Sequence, residues 1–308
     1  MPPIDSHRAN ARIIILAAVI AAAIWLWALW PSEHELIVTF INVGQGDSIL
    51  IETPRKHVIL VDAGPPGAEA GLDAGSRIVA PLLRAEGIKV IDLLILTHPH
   101  DDHAGGMLSI LRQFRVRRLT TPNIAYSSPT YKDILRTVKK RRIPLVNAHQ
   151  GLEVHFPDGV TLSFLHPSAS DLRHEPTERE LNDLSAVAKL EFGKAKFLLA
   201  ADAGGEAEIR MLARGMDLRA DVLKVGHHGS STATTGPFLR EVSPRIAVVS
   251  VGRWNEFGHP AKETLARLRR SRIRAYRTDL DGTVTIETDG ERIWVRQSRK
   301  PFWLRGSD

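Results

Sequence analysis

Residues 97–106 read Thr-His-Pro-His-Asp-Asp-His-Ala-Gly-Gly and follow directly on the apolar run Ile91-Asp92-Leu93-Leu94-Ile95-Leu96. Any fold of this chain has to place three imidazoles and two carboxylates, crowded into residues 98–103, at the end of a buried strand. A solvated polar turn accounts poorly for that density. A strand end that aims several ligands at one point accounts for it well. His98, His100, Asp102 and His103 therefore read as metal ligands. Neutral imidazole suits zinc, iron and similar metals, and an adjacent carboxylate extends the range to manganese. The order His-x-His-x-Asp-His also lets His98 and His100 serve one ion while Asp102 and His103 serve a neighbour. Two ions about 3.5–4 Å apart can share a hydroxide and steady the attacking and leaving oxygens of a hydrolysis.

The chain has 308 residues and no cysteine. It is long enough to bury a full core in one large domain or two similar halves. Without thiolates, metal binding rests on His and carboxylates. Short β-rich runs at 36–43, 48–52 and 57–62 are punctuated by turns, and the Gly/Pro/Ala-rich stretch 64–75 reads as a mobile loop. The remaining order alternates. Helices are expected at 76–86, 103–114, 131–141, 206–214, 237–241 and 261–271. Strands are expected at 92–97, 118–121, 161–165, 186–192, 196–200, 222–225, 246–251, 283–287 and 292–296. This mixture indicates an α/β fold with two sheets between helical layers. Each half has an apolar strand running into histidines, at Leu93–His98 and Leu223–His228. The polar stretch 168–183 is either a lid or a surface loop.

Residues 13–30 carry no charged side chain, and at 1.5 Å per residue they give roughly 27 Å, enough to cross a bilayer core. Trp25, Trp27 and Trp30 crowd one end, Arg8 and Arg12 precede the run, and Glu33 and Glu35 follow it. The pattern favours an uncleaved single-pass anchor in the cytoplasmic membrane, with the remainder extracytoplasmic; a cleaved signal peptide is the rival reading. The expected organisation is a cytoplasmic N-terminus and anchor over 1–32, a hydrolase domain over 33–296 and a basic tail over 297–308. The net charge of +6 favours anionic partners, including nucleic acid or other phosphate esters. Arginines cluster at 112–118, 136–142 and 267–274, each best read as the wet face of a helix.

The histidine motif resembles the signature of the metallo-β-lactamase fold superfamily. Three further stretches, Phe40-Ile41-Asn42-Val43-Gly44-Gln45-Gly46-Asp47-Ser48, Val61-Asp62-Ala63-Gly64 and Leu223-Lys224-Val225-Gly226-His227-His228-Gly229-Ser230, resemble the subgroup related to the ComEC DNA-uptake channel. The resemblance spans about residues 36–289. It implies an αββα sandwich with the site at the sheet ends, and a pair of divalent ions, Zn²⁺ or Mn²⁺. It also implies that Asp202 bridges the ions, although a helix N-cap would equally explain an Asp there. One of His227 and His228 would ligate the second ion. His227 is taken for that role, leaving His228 to substrate or a carboxylate, and Gly229 and Ser230 to a close substrate approach. Asp62 would fix the histidine loop from behind, with Asp47 nearby. A further histidine common in the superfamily is absent before Asp202, so Asn182 or water would stand in for it. His259 could donate to a phosphate oxygen or leaving group, unless its Pro260 simply marks a helix start.

These expectations describe a membrane-anchored phosphodiesterase or nuclease, in which a hydroxide bridging the ions and held by Asp102 and Asp202 attacks phosphorus. His227, His228 or His259 would assist the leaving oxygen. The resemblance implies DNA, trimmed during uptake through partner channel proteins; envelope phosphodiesters are the other substrate of this class. An amide or ester hydrolase and a non-catalytic DNA-capturing module are the competing readings.

Overall fold

Side-chain alternation along the strands decides the layering. In Val58–Val61, Ile59 and Val61 face one apolar layer while Val58 and Leu60 face another. In Ala195–Leu199, Phe197 and Leu199 point one way and Leu198 the other. Strands buried on both faces in this way require cover on both sides. The computed structural model describes residues 15, 17–21, 35–67, 72–172 and 176–298. One sheet has eight strands, in the order Ile293–Ser298, Thr283–Thr288, Leu36–Phe40, Ile49–Glu52, Val58–Val61, Leu93–Ile95, Leu119–Thr121, Leu145–Asn147. The second has seven, in the order Arg274–Arg277, Ile246–Val249, Val222–Lys224, Ala195–Leu199, Val187–Phe192, Thr161–His166, Glu153–His155. Phe40, Ile59, Phe164, Phe197 and Val222 fill the layer between the sheets. Helices Met107–Gln113 and Pro129–Lys140 cover the first sheet, and Gly205–Ala213, Gly236–Val242 and Lys262–Arg270 cover the second.

In the first sheet the strands from Val58–Val61 to Leu145–Asn147 are parallel; in the second those from Ala195–Leu199 to Arg274–Arg277 are. The carboxyl ends of parallel strands are where open α/β sheets bind ligands. Here those ends carry Asp62, His98–His103, Asp202, His227 and His228.

Several local expectations are corrected. The helix expected over 103–114 is two helices, Asp101–Ala104 and Met107–Gln113. Gly106 lies between them, where a Cβ would stand 2.2 Å from the Ala63 carbonyl oxygen. The close approach fixes the break. The strand expected over 92–97 is only Leu93–Ile95, because Asp92 turns aside to accept the Val58 N–H and pair with Arg117 at 2.9 Å. Strand Arg274–Arg277 escapes notice because its sequence is basic and half exposed. Within 168–183 lies a helix, Glu178–Asn182, started by a Thr177/Glu180 capping box. The last strand reaches Ser298, two residues past the expected domain end. Of residues 1–34, residues 15 and 17–21 are helical. The rest of the expected anchor over 13–30, and residues 299–308 of the tail, lie outside the described residues. Among the described residues no helix is long and apolar enough to cross a membrane.

A buried clamp holds the loop after the second histidine pair. Glu208, on helix Gly205–Ala213, accepts the backbone N–H groups of Thr234 and Thr235, the latter at 2.9 Å. Arg267 donates to the carbonyls of Ser231, Ala233 and Thr234 at 2.8–3.0 Å. It is thus no part of a wet face, unlike exposed Arg269 and Arg270. Burial pushes the Glu208 carboxyl up to about 7, from 4.5. Between those values the folded chain keeps a proton that the unfolded chain has released, so stability falls as pH rises through that window. Glu208→Gln removes this dependence. Chemical denaturation should show the variant gaining on the native chain by up to about 3 kcal/mol between pH 4.5 and 7.5. Parallel stability curves would contradict the assignment.

Candidate metal centre

Asp62 organises the histidine loop from behind. Its Oδ1 accepts the Thr97 N–H at 2.8 Å, and its Oδ2 accepts the Thr97 hydroxyl at 2.7 Å and His103 Nδ1–H at 2.8 Å. Thr97 Oγ1, its proton spent on Asp62, stands 3.1 Å from His98 Nδ1 as an acceptor. His228 Nδ1–H donates to the Ser250 carbonyl at 2.9 Å, and His100 Nε2 lies 3.3 Å from Glu178 Oε2. Each far nitrogen is thereby engaged, which turns a lone pair on the near nitrogen inward. That is the arrangement by which outer partners fix metal-binding imidazoles.

The inward atoms form two adjoining nests. In the first, His103 Nε2 lies 3.3 Å from Asp202 Oδ2 and 3.8 Å from Asp102 Oδ2, while His228 Nε2 lies 3.3 Å and 3.1 Å from the same two oxygens. One ligand atom from each of Asp102, His103, Asp202 and His228 falls within 4.8 Å of the others. In the second, His98 Nε2, His100 Nδ1 and Asn182 Oδ1 follow one another at 3.0 and 2.9 Å, and Asn182 Nδ2 reaches His227 Nε2 at 3.3 Å. His227 Nε2 is 3.9 Å from Asp202 Oδ2, so Asp202 stands between the nests. His228 meets the Asp102 carboxylate, as one of its two expected roles had it, and joins the four-residue cluster, while His227 faces Asn182.

These nests fit a divalent cation. Two atoms held tetrahedrally at metal–nitrogen distances of 2.0–2.1 Å lie roughly 3.3 Å apart, and the separations above bracket that value. His103 Nε2 and Asp202 Oδ1 are buried without a hydrogen-bond partner. Charge points the same way. Asp47, Asp62 and Asp202 are almost fully buried and Asp102 is half-buried, and the buried ammonium among them is that of Lys224. Lys224 pairs with Asp47, donates to the Ala201 carbonyl at 2.8 Å and lies 3.6 Å from Asp202 Oδ1. Its burial works to lower its pKa, and the carboxylates of Asp47 and Asp202 overcome that and hold it above the usual lysine range. The sequence reading assigned Lys224 no role. The available signal was a lysine inside an apolar strand, which needs a buried partner.

Burial opposes protonation of His103 and His228 as well, but the Asp202 and Asp102 carboxylates outweigh it. They hold His103 well above the usual histidine range and push His228 up to about 10. His98, by contrast, is held well below its usual range by burial and by His103.

The remaining expected residues are dispersed around this centre. Asp47 Oδ1 is buried and unpartnered, 3.7 Å from His228 Nδ1. Asp202 caps no helix: Gly204 is the N-cap of helix Gly205–Ala213, and Asp183 Oδ1 accepts the N–H groups of Gly204 and Ala207. Gly229 and Ser230 pack within the turn. A Cβ at Gly229 would lie 2.6 Å from Pro260 Cβ, and the Ser230 hydroxyl meets Thr232 Oγ1 at 3.1 Å, so both serve the turn and neither lines the cleft. His259 does line it. Burial and the neighbouring His227 and His228 lower its pKa to about 4. Helix Lys262–Arg270 starts after N-cap Ala261, not at Pro260. Glu178, Tyr126 and Gln45, which the sequence did not single out, also line the cleft, whose volume is about 650 Å³.

A metal ion needs the nitrogen lone pairs that protons hold on His103 and His228 at neutral pH. Zinc loading should therefore release about two protons and bind more tightly as pH rises from 6 to 9. Calorimetric titration in buffers of different ionisation enthalpy measures this. Buffer-independent heats with a flat pH profile would sink it.

Residues 41–253 match the family model described as "Metallo-beta-lactamase superfamily". Among curated proteins, the chain is 31% identical over 290 residues to ComE operon protein 3 of Bacillus subtilis (strain 168), covering 90% of this chain and 36% of that one. It is 33% identical over 268 residues to Recombination protein 2 of Haemophilus influenzae (strain ATCC 51907 / DSM 11121 / KW20 / Rd), covering 86% and 30%. It is 30% identical over 253 residues to Competence protein ComA of Neisseria gonorrhoeae, covering 82% and 32%. The chain thus spans about a third of the length of these relatives. Among solved structures, CmlA, a diiron β-hydroxylase from Streptomyces venezuelae, shares the fold, with a TM-score of 0.52 at 17% identity over 86% of this chain and 54% of that one. With the motif matched by position and the two-sheet fold in place, the chain belongs to the metallo-β-lactamase superfamily and is homologous to the ComEC-related competence proteins.

Proposed function

We propose that this domain is a metal-dependent phosphodiesterase that cleaves a DNA strand. One observation carries the reading: two nests of inward lone pairs share Asp202 and open on one cleft. His98, His100, Asn182 and His227 would hold one ion, Asp102, His103 and His228 the other, with Asp202 common to both. Such ions, Zn²⁺ or Mn²⁺, supply Lewis acidity toward the phosphoryl oxygens and water acidic enough to attack at neutral pH. The chain's own groups then do four things. Asp102, the most exposed of the four carboxylates, is placed to accept a hydrogen bond from the attacking water. Asp62 and the Ser250 carbonyl keep His103 and His228 from rotating. Lys224 balances the charge of Asp47 and of one face of Asp202. His259 orients substrate as a neutral donor or acceptor.

DNA is the substrate class suggested by relatives named for competence and recombination. Attachment to a membrane through residues 13–30, an extracytoplasmic site and partnership with an uptake channel belong to the same proposal. One observation favours amide or ester hydrolysis instead: among the described residues no Lys or Arg lines the cleft.

The test incubates the purified chain with end-labelled single-stranded DNA and Mn²⁺ or Zn²⁺, beside Asp102→Ala. Loss of that ligand should remove several kcal/mol of transition-state stabilisation, at least about a hundredfold in rate, while DNA binding persists. Intact DNA with either ion, together with turnover of a lactone or lactam, would replace the reading. Binding without turnover of any of these substrates would mark a capturing module.

A further inference from the structure

The loop between strand Ile246–Val249 and helix Lys262–Arg270 exposes two large aromatic side chains three residues apart, Trp254 at 90% and Phe257 at 61%. Singly exposed apolar residues need no explanation, but an adjacent pair on a fixed loop does. This loop is fixed. Asn255 donates to the carbonyls of Gly252 and His259 at 2.8 and 2.7 Å and accepts the His259 N–H at 2.9 Å. Gln45 Oε1 accepts the Gly252 N–H at 3.1 Å.

Phe257 lines the cleft, and its ring stacks on His259 with centroids 5.8 Å apart at an interplanar angle of 27°. The His259 ring in turn meets His227 edge-on at 5.4 Å. A continuous file of rings therefore leads from solvent to the metal centre. Tyr126 lines the same cleft from the other half of the fold, its hydroxyl donating to Glu178 at 2.7 Å. Among the described residues that line the cleft there is no Lys or Arg, so these walls give a polyanion no side-chain cation to bind. Flat rings remain. Base stacking on aromatic side chains tolerates any sequence, because every base has a π-face.

We propose that Phe257 is a substrate-binding residue: its ring is a platform on which a nucleobase next to the scissile phosphodiester stacks. Arg253, whose guanidinium lies 5.5 Å over the Trp254 ring, and Trp254 extend the surface away from the centre. The assignment rests on the phosphodiesterase reading above and adds which part of a nucleic acid the cleft grips.

The test uses the full chain, loaded with Mn²⁺, and two end-labelled oligothymidines, one uniform and one with a central run of baseless tetrahydrofuran residues. The native chain is expected to cut linkages between thymidines about tenfold or more faster, at subsaturating substrate, than linkages within the baseless run. Phe257→Leu, which keeps apolar bulk but no ring face, should lose most of that preference through KM, with kcat and the thermal midpoint held. Phe257→Tyr should restore it. Equal cutting of both segments by the native chain, or full preference in Phe257→Leu, overturns the platform and leaves the nuclease reading standing. Cutting of neither segment overturns both.

Discussion

Four carboxylates, Asp47, Asp62, Asp102 and Asp202, meet at the strand ends with one buried ammonium, Lys224, among them. Buried charge is tolerated only when paired and hydrogen-bonded. The remainder of the centre answers that demand. Lys224 balances Asp47 and one face of Asp202. His103 and His228 balance Asp102 and the other face of Asp202, with protons or by sharing a cation. The backbone bends to allow it: Asp62, Ala201, His227 and His228 all have left-handed φ, between 46° and 56°. Each such residue costs roughly 1–2 kcal/mol. The surrounding bonds hold them there. Asp62 N–H donates to the Ile95 carbonyl at 2.8 Å, His227 N–H to the Ala201 carbonyl at 3.0 Å, and Gly226 N–H to Thr234 Oγ1 at 3.0 Å. Loss of Glu208 or Arg267 would act on the metal centre through this last link, without touching it.

That network explains what could be read in advance. The ligands of residues 98–103 were legible because they are local: one strand end delivers them all. The sandwich was legible from the order of apolar strand runs and helical segments and from the family resemblance, since strands buried on both faces, such as Val58–Val61, read as unbroken apolar runs. The position of Lys224 in an apolar strand signals burial, but not its partners, since Asp47 and Ala201 are distant in the chain. The order of His227 and His228 depends on two consecutive left-handed residues, which propensity does not foresee outside glycine. Gly229 looked like a window for substrate, but Pro260, brought up from 31 positions away, fills it. The capping box at Thr177 and Glu180 stood in plain view; what the sequence could not convey is that its helix carries Asn182 to His100 and His227.

Charge distribution separates two things that a net value of +6 merges. Arg115, Arg117, Arg141 and Arg142 line a groove of about 420 Å³ next to the amino end of strand Leu119–Thr121. Lys194, Arg245, Arg274 and Arg292 line another of about 650 Å³ at the amino ends of the second sheet's parallel strands. The metal centre lies at the carboxyl ends. Long-range attraction of a polyanion therefore acts on faces remote from the chemistry, while the cleft itself is lined by Asp101, Glu178 and Glu256 and by apolar rings. Loading with divalent cations inverts the sign of the cleft locally. A substrate that is drawn to the protein by its arginines, recognised by rings and turned over only where the cations sit would show two salt responses. Non-specific binding would weaken steeply with salt. The KM of the cleft would respond little, because no Lys or Arg is among the described residues that line it.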